Sequence, residues 1–330
     1  MGGEWDIHKA WSVEVYHDLL SKILQHRSLF AHAIQGNRTD TGAIVGRTEN
    51  LGHYVWQDLA GLEEILENFG EHAIKHLIVG CHAKFDVVAV FPELANIPVV
   101  RLAREGADFE DILPLPFQHL RPIGVRASDR LRRRILRAAD ERVPEDVQIR
   151  ARQAAADALL VLVNLRQHNK AWVHQIDGHI TVLRRLAQDV GKLKVVFDGF
   201  ADTADIADAI RRGVGPEIET INPIGCDVYE TTVWARAAHV YSSVVSTGLV
   251  FTAWLAGRPG VAHSNVAHLD HGTSYHLIWE GSCPPTFIAK SDVRDVGEGY
   301  YDNYDFEPDV LYRLLRELVA QYYPSKLIHS

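Results

Sequence analysis

The hydrophobic positions of this chain change their rhythm part-way along. In the second half they form near-continuous apolar runs, at residues 158–165 (ALLVLVNL), 193–197 (LKVVF), 218–221, 240–245 and 261–263. Runs without polar alternation predict strands buried on both faces, as in a parallel sheet covered by helices. Segments with helical spacing lie between them, at 180–190, 202–212, 229–238 and 249–255. Strand and helix in regular turn predict a Rossmann-like domain. An acidic, tyrosine-rich loop at 298–305 precedes a final predicted helix at 309–322.

The first half is less regular. Trp11, Val15, Leu19, Leu20, Ile23 and Leu24 recur at helical spacing and predict an amphipathic helix. Short apolar runs at 28–34, 43–45, 77–79, 87–91 and 99–102, with a helix over 56–69 among them, read as βαβ alternation. Residues 108–126 are proline-rich and predict loops, and a helix starting near 127 is broken at Pro144 and resumes to 156. With 330 residues, two cores are expected: a first α/β domain over 1–155, a second domain over 156–305, and a terminal helix over 306–330 able to cross back to the first.

Composition narrows the setting. The chain is 47% hydrophobic and 23% charged, and no apolar stretch approaches the roughly 20 residues of a membrane span. Its start lacks the basic and apolar regions of a secretory signal, so a soluble, cytoplasmic protein is expected. A net charge of −9 argues against a nucleic-acid partner. One basic stretch interrupts the acidity: Arg121, Arg126, Arg130, Arg132, Arg133, Arg134 and Arg137. It is either a helix face neutralised by Asp129, Asp140 and Glu141, or a patch that meets an anionic acceptor or the inner face of a membrane. The three cysteines, Cys81, Cys226 and Cys283, have no metal-binding spacing and read as reduced, mostly buried thiols.

Ligands of an open parallel sheet bind where the strands end, here at loops 166–172, 198–202, 222–229, 246–248 and 263–269. Ser246, Thr247 and Gly248 at a helix start can cradle a diphosphate on unpaired amides, or Ser246 or Thr247 can simply cap the helix. The segment VVSTGLVFTAWLAGRPGVAHSN resembles the donor-sugar half of bacterial GT-B glycosyltransferases of the heptosyltransferase and capsule or lipopolysaccharide assembly type. The preceding LVNLRQHNKAW, KLKVVFDGF and IETINPIG follow the strand and helix order of that half, so the resemblance covers residues 158–290. It implies two Rossmann-like domains facing each other across a cleft. It also implies transfer of a sugar from a nucleotide-sugar donor to a hydroxyl of a glycan or glycolipid, with no cofactor. The EX7E pattern of many retaining members is absent, which favours inversion.

Donor contacts are expected from Arg166, Lys170, Asp198, Ser246, Thr247, Gly248, His263, Ser264 and Asn265, with the two cations neutralising the leaving diphosphate. His168 and Trp172 flank those cations, and Trp172 reads as packing rather than as a stacking platform. Asp198 and Asp202 can orient a hydroxyl or cap the following helix. In the first domain, His53 sits after Gly52 at a strand-to-helix turn and is the candidate base, with Glu49 and Asp58 as substitutes. A second loop, 80–84, holds Cys81, His82 and Lys84. The cluster His263, His268, Asp270, His271 and His276 lacks the spacing of a metal motif, and no metal is expected. Two other readings stay open: a nucleotide-sugar epimerase or hydrolase of the same fold, and a non-catalytic carbohydrate-binding or scaffold protein.

Overall fold

The computed structural model describes residues 17, 20–36, 38–103, 111–124, 126–271 and 279–328. Strands β1 (Thr41–Val45), β2 (His76–Val79), β3 (Val99–Arg101) and β4 (Gln118–Leu120) form a parallel sheet in the order β3-β2-β1-β4. The second sheet is built from β5 (Leu159–Asn164), β6 (Leu193–Asp198), β7 (Glu219–Ile221), β8 (Val240–Val244), β9 (Gly260–His263) and β10 (Thr286–Phe287). All its pairings are parallel, in the order β10-β9-β8-β5-β6-β7. A small antiparallel hairpin, β11 (Val293–Asp295) with β12 (Tyr304–Phe306), stands beside it.

The apolar runs of the second half become strands because both faces of that sheet are covered. Successive residues of a strand point to opposite faces. Leu160 and Leu162 accordingly enter one buried cluster, while Leu159, Val161 and Val163 enter another. The first of these clusters runs on through Trp234, Trp254 and Trp279 to Tyr54, Phe91 and Leu62, so the two Rossmann-like domains share a continuous apolar contact. The helix Asp129–Arg142, capped by the Ser128 hydroxyl, spans this junction. The terminal helix Pro308–Tyr322 stays with the second sheet rather than crossing back, because Leu311, Leu315, Leu318 and Val319 are buried in its outer cluster. Each such side chain contributes about 1.5–3 kcal/mol when fully buried, which holds the helix there.

Several first-domain elements differ from the periodicity reading. The run at 28–34 is part of a helix, Arg27–Gln35, not a strand, and none of its residues is buried. The run at 87–91 forms one helical turn, Val87–Val90, whose amides are capped by the Asp86 carboxylate. The proline-rich passage contains β4, a polar strand held by its register against β1 and by Phe117, which stacks on His76 at 4.1 Å. The helix expected from 56 begins at Leu51, is wound as a π-helix over Tyr54–Leu59, and continues as Ala60–Phe69. Of the expected opening helix, residues 20–25 are helical, and Trp11, Val15 and Leu19 lie outside the described residues.

Three histidines, His179 and His263 buried and His239 half-buried, make the fold sensitive to acid. Burial pushes His179 down to about 4 and His263 to about 3; burial, Lys326 and Arg258 push His239 to about 4. The unfolded chain protonates its histidines near 6.5 while the folded one refuses the proton, so stability is complete above pH 6.5 and is lost as pH falls toward 4. The melting temperature is expected to drop across that window, and His263→Gln is expected to flatten the drop. An equal slope in both proteins would show that His263 is not held neutral by the fold.

Candidate functional site

The carboxyl edge of the second sheet carries a small polar floor. Asn164, ending β5, donates its side-chain amide to Asp198, ending β6, at 2.7 Å, and receives the Ser243 hydroxyl at 3.4 Å. Burial raises the Asp198 carboxyl pKa against the opposing pull of Asn164 and the Gly199 amide. Gly248 closes this floor from above: a Cβ there would stand 3.2 Å from the Asn164 side chain.

The segment after β5 supplies the charge. Arg166 is tied to Asn169 at 3.1 Å, and its guanidinium lies 5.7 Å from the exposed Phe200 ring. His168 and Lys170 both adopt left-handed backbone conformations, at φ values of 68° and 49°. His168 pairs with Asp202 at 3.1 Å, and the Lys170 amide donates to the Tyr301 carbonyl at 3.1 Å. The Lys170 side chain is only 8% exposed, with its Nζ 5.8 Å from the Tyr301 ring. Among the described residues it makes no ion pair with a carboxylate. Burial and the neighbouring Arg166 charge push its ammonium down to about 8. A desolvated cation held beside a second cation, without a counter-charge, is an arrangement that favours an incoming anion.

Other expected donor residues do different work. His263 is buried in the core, with one ring nitrogen against the Ser242 hydroxyl at 3.1 Å and the other against Tyr304 at 2.6 Å, so no nitrogen is left for a ligand. Ser264 is fully buried beside it. Asn265 caps the helix Val266–His271 through the His268 amide and donates to the Tyr300 and Asp302 carbonyls, a structural clamp. Ser246 and Thr247 are half-buried as expected of a rim, but the amides after them are engaged: Gly248 donates to the Ser246 hydroxyl and Leu249 to its carbonyl. The following helix is a six-residue π-helix, Val250–Leu255, so it offers an anion much less than a regular helix start would. Trp172 packs: its ring stacks on Phe306 at 4.1 Å and its indole donates to Asp305 at 3.1 Å.

Among the described residues the histidine cluster is not gathered at one point. His268 bonds Asn265, Asp270 pairs with Lys290, and His276 lies outside the described residues. Of the cysteines, Cys81 is exposed rather than buried, and the half-buried Cys226 thiol is pushed up to about 11 by burial.

In the first domain, the carboxyl edge presents Glu49 and His53, both exposed, with the His53 ring edge-on to Trp56 at 5.2 Å. Asp58 is not available as a base. It is 0% exposed, accepts the Gly46 amide at 2.7 Å and lies 3.6 Å from the Arg121 guanidinium, so it fixes the turn after β1. Burial raises its pKa. This edge meets the second domain where the Asp86 amide donates to the Tyr229 hydroxyl at 2.7 Å. The arginine stretch is internally neutralised: Arg126 pairs with Glu280, Arg130 with Glu67, Arg132 and Arg133 with Asp129, Arg134 with Glu93, and Arg137 with Glu141. Among the described residues no helix is long and apolar enough to cross a membrane.

Two parallel Rossmann-like sheets with their carboxyl edges facing can be compared with known structures as a whole. The glycosyl transferase family 9 structure from Veillonella parvula superposes with a TM-score of 0.53 at 11% identity, covering 87% of this chain and 100% of that one. The chain has the GT-B fold. Two weaker likenesses are the E. coli ADP-heptose lipopolysaccharide heptosyltransferase II (TM-score 0.44, 14% identity, 86% and 99% covered) and the S. aureus MnaA-UDP co-structure (TM-score 0.43, 10% identity, 87% and 90% covered). No protein-family model matches the sequence, and no curated protein does.

Within this GT-B frame the sequence reading missed the tip of the β11–β12 hairpin, which reaches Lys170, and Arg47 and Arg121, which flank buried Asp58. The paired Tyr300 and Tyr301 in an acidic segment were the available signal. Removing the Asp58 carboxylate leaves the Gly46 amide without its acceptor. Asp58→Ala is therefore expected to cost roughly 2–3 kcal/mol in urea unfolding, and a change below about 0.5 kcal/mol, the range of an ordinary surface substitution, would show that the turn does not depend on it.

Proposed function

We propose that the protein transfers a sugar from a nucleotide-sugar donor to a hydroxyl of a glycan or glycolipid, as a step of polysaccharide assembly. The observation that carries this reading is the buried Lys170 ammonium at the carboxyl edge of the second sheet, beside Arg166 and without a paired carboxylate among the described residues. A diphosphate supplies the missing negative charge, and its charge grows as the glycosyl bond breaks. Lys170 and Arg166 therefore stabilise the leaving group more than the bound donor, which is what accelerates a reaction. They meet the electrostatic demand that a divalent ion would otherwise serve, so the transfer is proposed to be independent of metal.

Across the cleft, His53 takes the proton of the acceptor hydroxyl as that oxygen bonds to the anomeric carbon. The nucleoside diphosphate leaves from the opposite side with the bonding electron pair, inverting the centre. Glu49, exposed four residues earlier, is the substitute base. The buried Asp58 is excluded from that role by its position.

The two halves of the site separate in calorimetry and turnover. Lys170→Met is expected to weaken binding of ADP, UDP or GDP, whichever the unaltered protein takes, by about 10- to 100-fold. His53→Ala is expected to leave that affinity within twofold while lowering kcat by roughly 10²- to 10⁴-fold. Unchanged nucleotide affinity in Lys170→Met would remove the cation from the donor site. Release of free sugar without any acceptor, at a rate His53→Ala does not change, would identify a hydrolase instead.

A further inference from the structure

The tip of the β11–β12 hairpin, residues 296–303, is fastened from several sides. Its Tyr301 carbonyl receives the Lys170 amide, and the Asn303 side chain receives the Ala171 amide at 3.0 Å. From the loop after β9, the Asn265 side chain donates to the Tyr300 and Asp302 carbonyls at 2.9 and 3.0 Å. A main chain so fixed has no need of exposed aromatic rings, yet Tyr300 and Tyr301 are 42% and 61% exposed. Tyr300 is already packed on the His268 ring at 4.0 Å, so the ring left for a ligand to cover is that of Tyr301. What lies beside it names the ligand's chemistry. The Tyr301 ring stands 5.8 Å from the buried Lys170 ammonium, so an anion neutralised by Lys170 brings whatever it carries against that ring.

We propose that Tyr301 stacks on the apolar face of the sugar ring in a bound nucleotide sugar and sets which sugar is accepted. This rests on the donor site proposed above. Strand order decides between the two ends of such a ligand. A small recess opens between β6 and β7, lined by Asp198, Gly199, Gly225, Cys226 and Trp234, and we place the nucleoside end of the ligand over it. The hairpin tip is tied instead to the loops after β5 and β9, and β9 lies on the other side of β5 in the order β9-β8-β5-β6-β7. A donor with its base at β6–β7 and its diphosphate by Lys170 therefore carries its sugar toward Tyr301.

Tyr301→Ala keeps the backbone carbonyl that holds Lys170 and removes only an exposed ring, so the fold is expected to melt at the unaltered temperature. Calorimetry on the full chain would use three pairs of probes: UDP and UDP-glucose, ADP and ADP-glucose, GDP and GDP-mannose. For the pair the protein takes, the nucleotide sugar is expected to bind more tightly than its diphosphate. Tyr301→Ala should lose about three- to tenfold in affinity for the nucleotide sugar alone, with the diphosphate unchanged within twofold and Tyr301→Phe restoring the difference. Equal losses for both members of the pair would show a general effect on Lys170, and no loss would show an idle ring; either overturns the proposal. If the unaltered chain binds none of the three diphosphates, the donor site itself fails and takes this proposal with it.

Discussion

A parallel sheet covered on both faces has only its edges left for a ligand, and at the carboxyl edge of the second sheet the chain has placed a cation out of water. Lys170 lies beneath the Tyr301 ring next to another cation, Arg166, with burial and repulsion both opposing its charge. A surface lysine would find water or a carboxylate; among the described residues this one makes no ion pair and is 8% exposed. The segment that holds it must be rigid to keep it there. Two non-glycine residues in it are left-handed, a conformation costing of order 1–3 kcal/mol each, and such strain persists only where surrounding contacts over-determine the backbone. Here those contacts come from the hairpin tip, through the Tyr301 carbonyl and the Asn303 side chain.

The same logic runs through the opposite edge. Asp58 is buried beneath the turn after β1 and is used up in fixing it, while Glu49 and His53 nearby stay exposed. The two domains are joined by a continuous apolar cluster and by the Asp86 and Tyr229 contact, where the Arg142 guanidinium pairs with Asp86 at 2.7 Å and lies over the Tyr229 ring. Under the proposed function, charge stabilisation would belong to one domain and proton transfer to the other.

The second domain was legible from sequence because its inner strands β5, β6, β8 and β9 are buried on both faces, and burial on both faces writes itself as an unbroken apolar run. β4 wrote nothing of the kind, since Gln118 and Leu120 are exposed and the strand is held by register and by Phe117. The run at 28–34 misled because a short apolar stretch carries no information on whether a strand will pair with it. Among the site residues, Arg166 and Lys170 were readable as cations after a buried strand. The burial of His263 was not, since its partners Ser242 and Tyr304 lie 21 and 41 residues away. The exhausted role of Asp58 was hidden in the same manner, because Arg121 reaches it from the segment after β4.

If the desolvated ammonium is the centre of the site, its proton affinity must answer to the ligand. Nuclear magnetic resonance of the Lys170 side chain, titrated from pH 6 to 11, measures this directly in the intact protein. The expected result is a midpoint near 8 in the free chain, moving upward by a unit or more when a bound nucleoside diphosphate supplies the opposite charge. A midpoint at the ordinary lysine value near 10.4, indifferent to every nucleotide added, would contradict it.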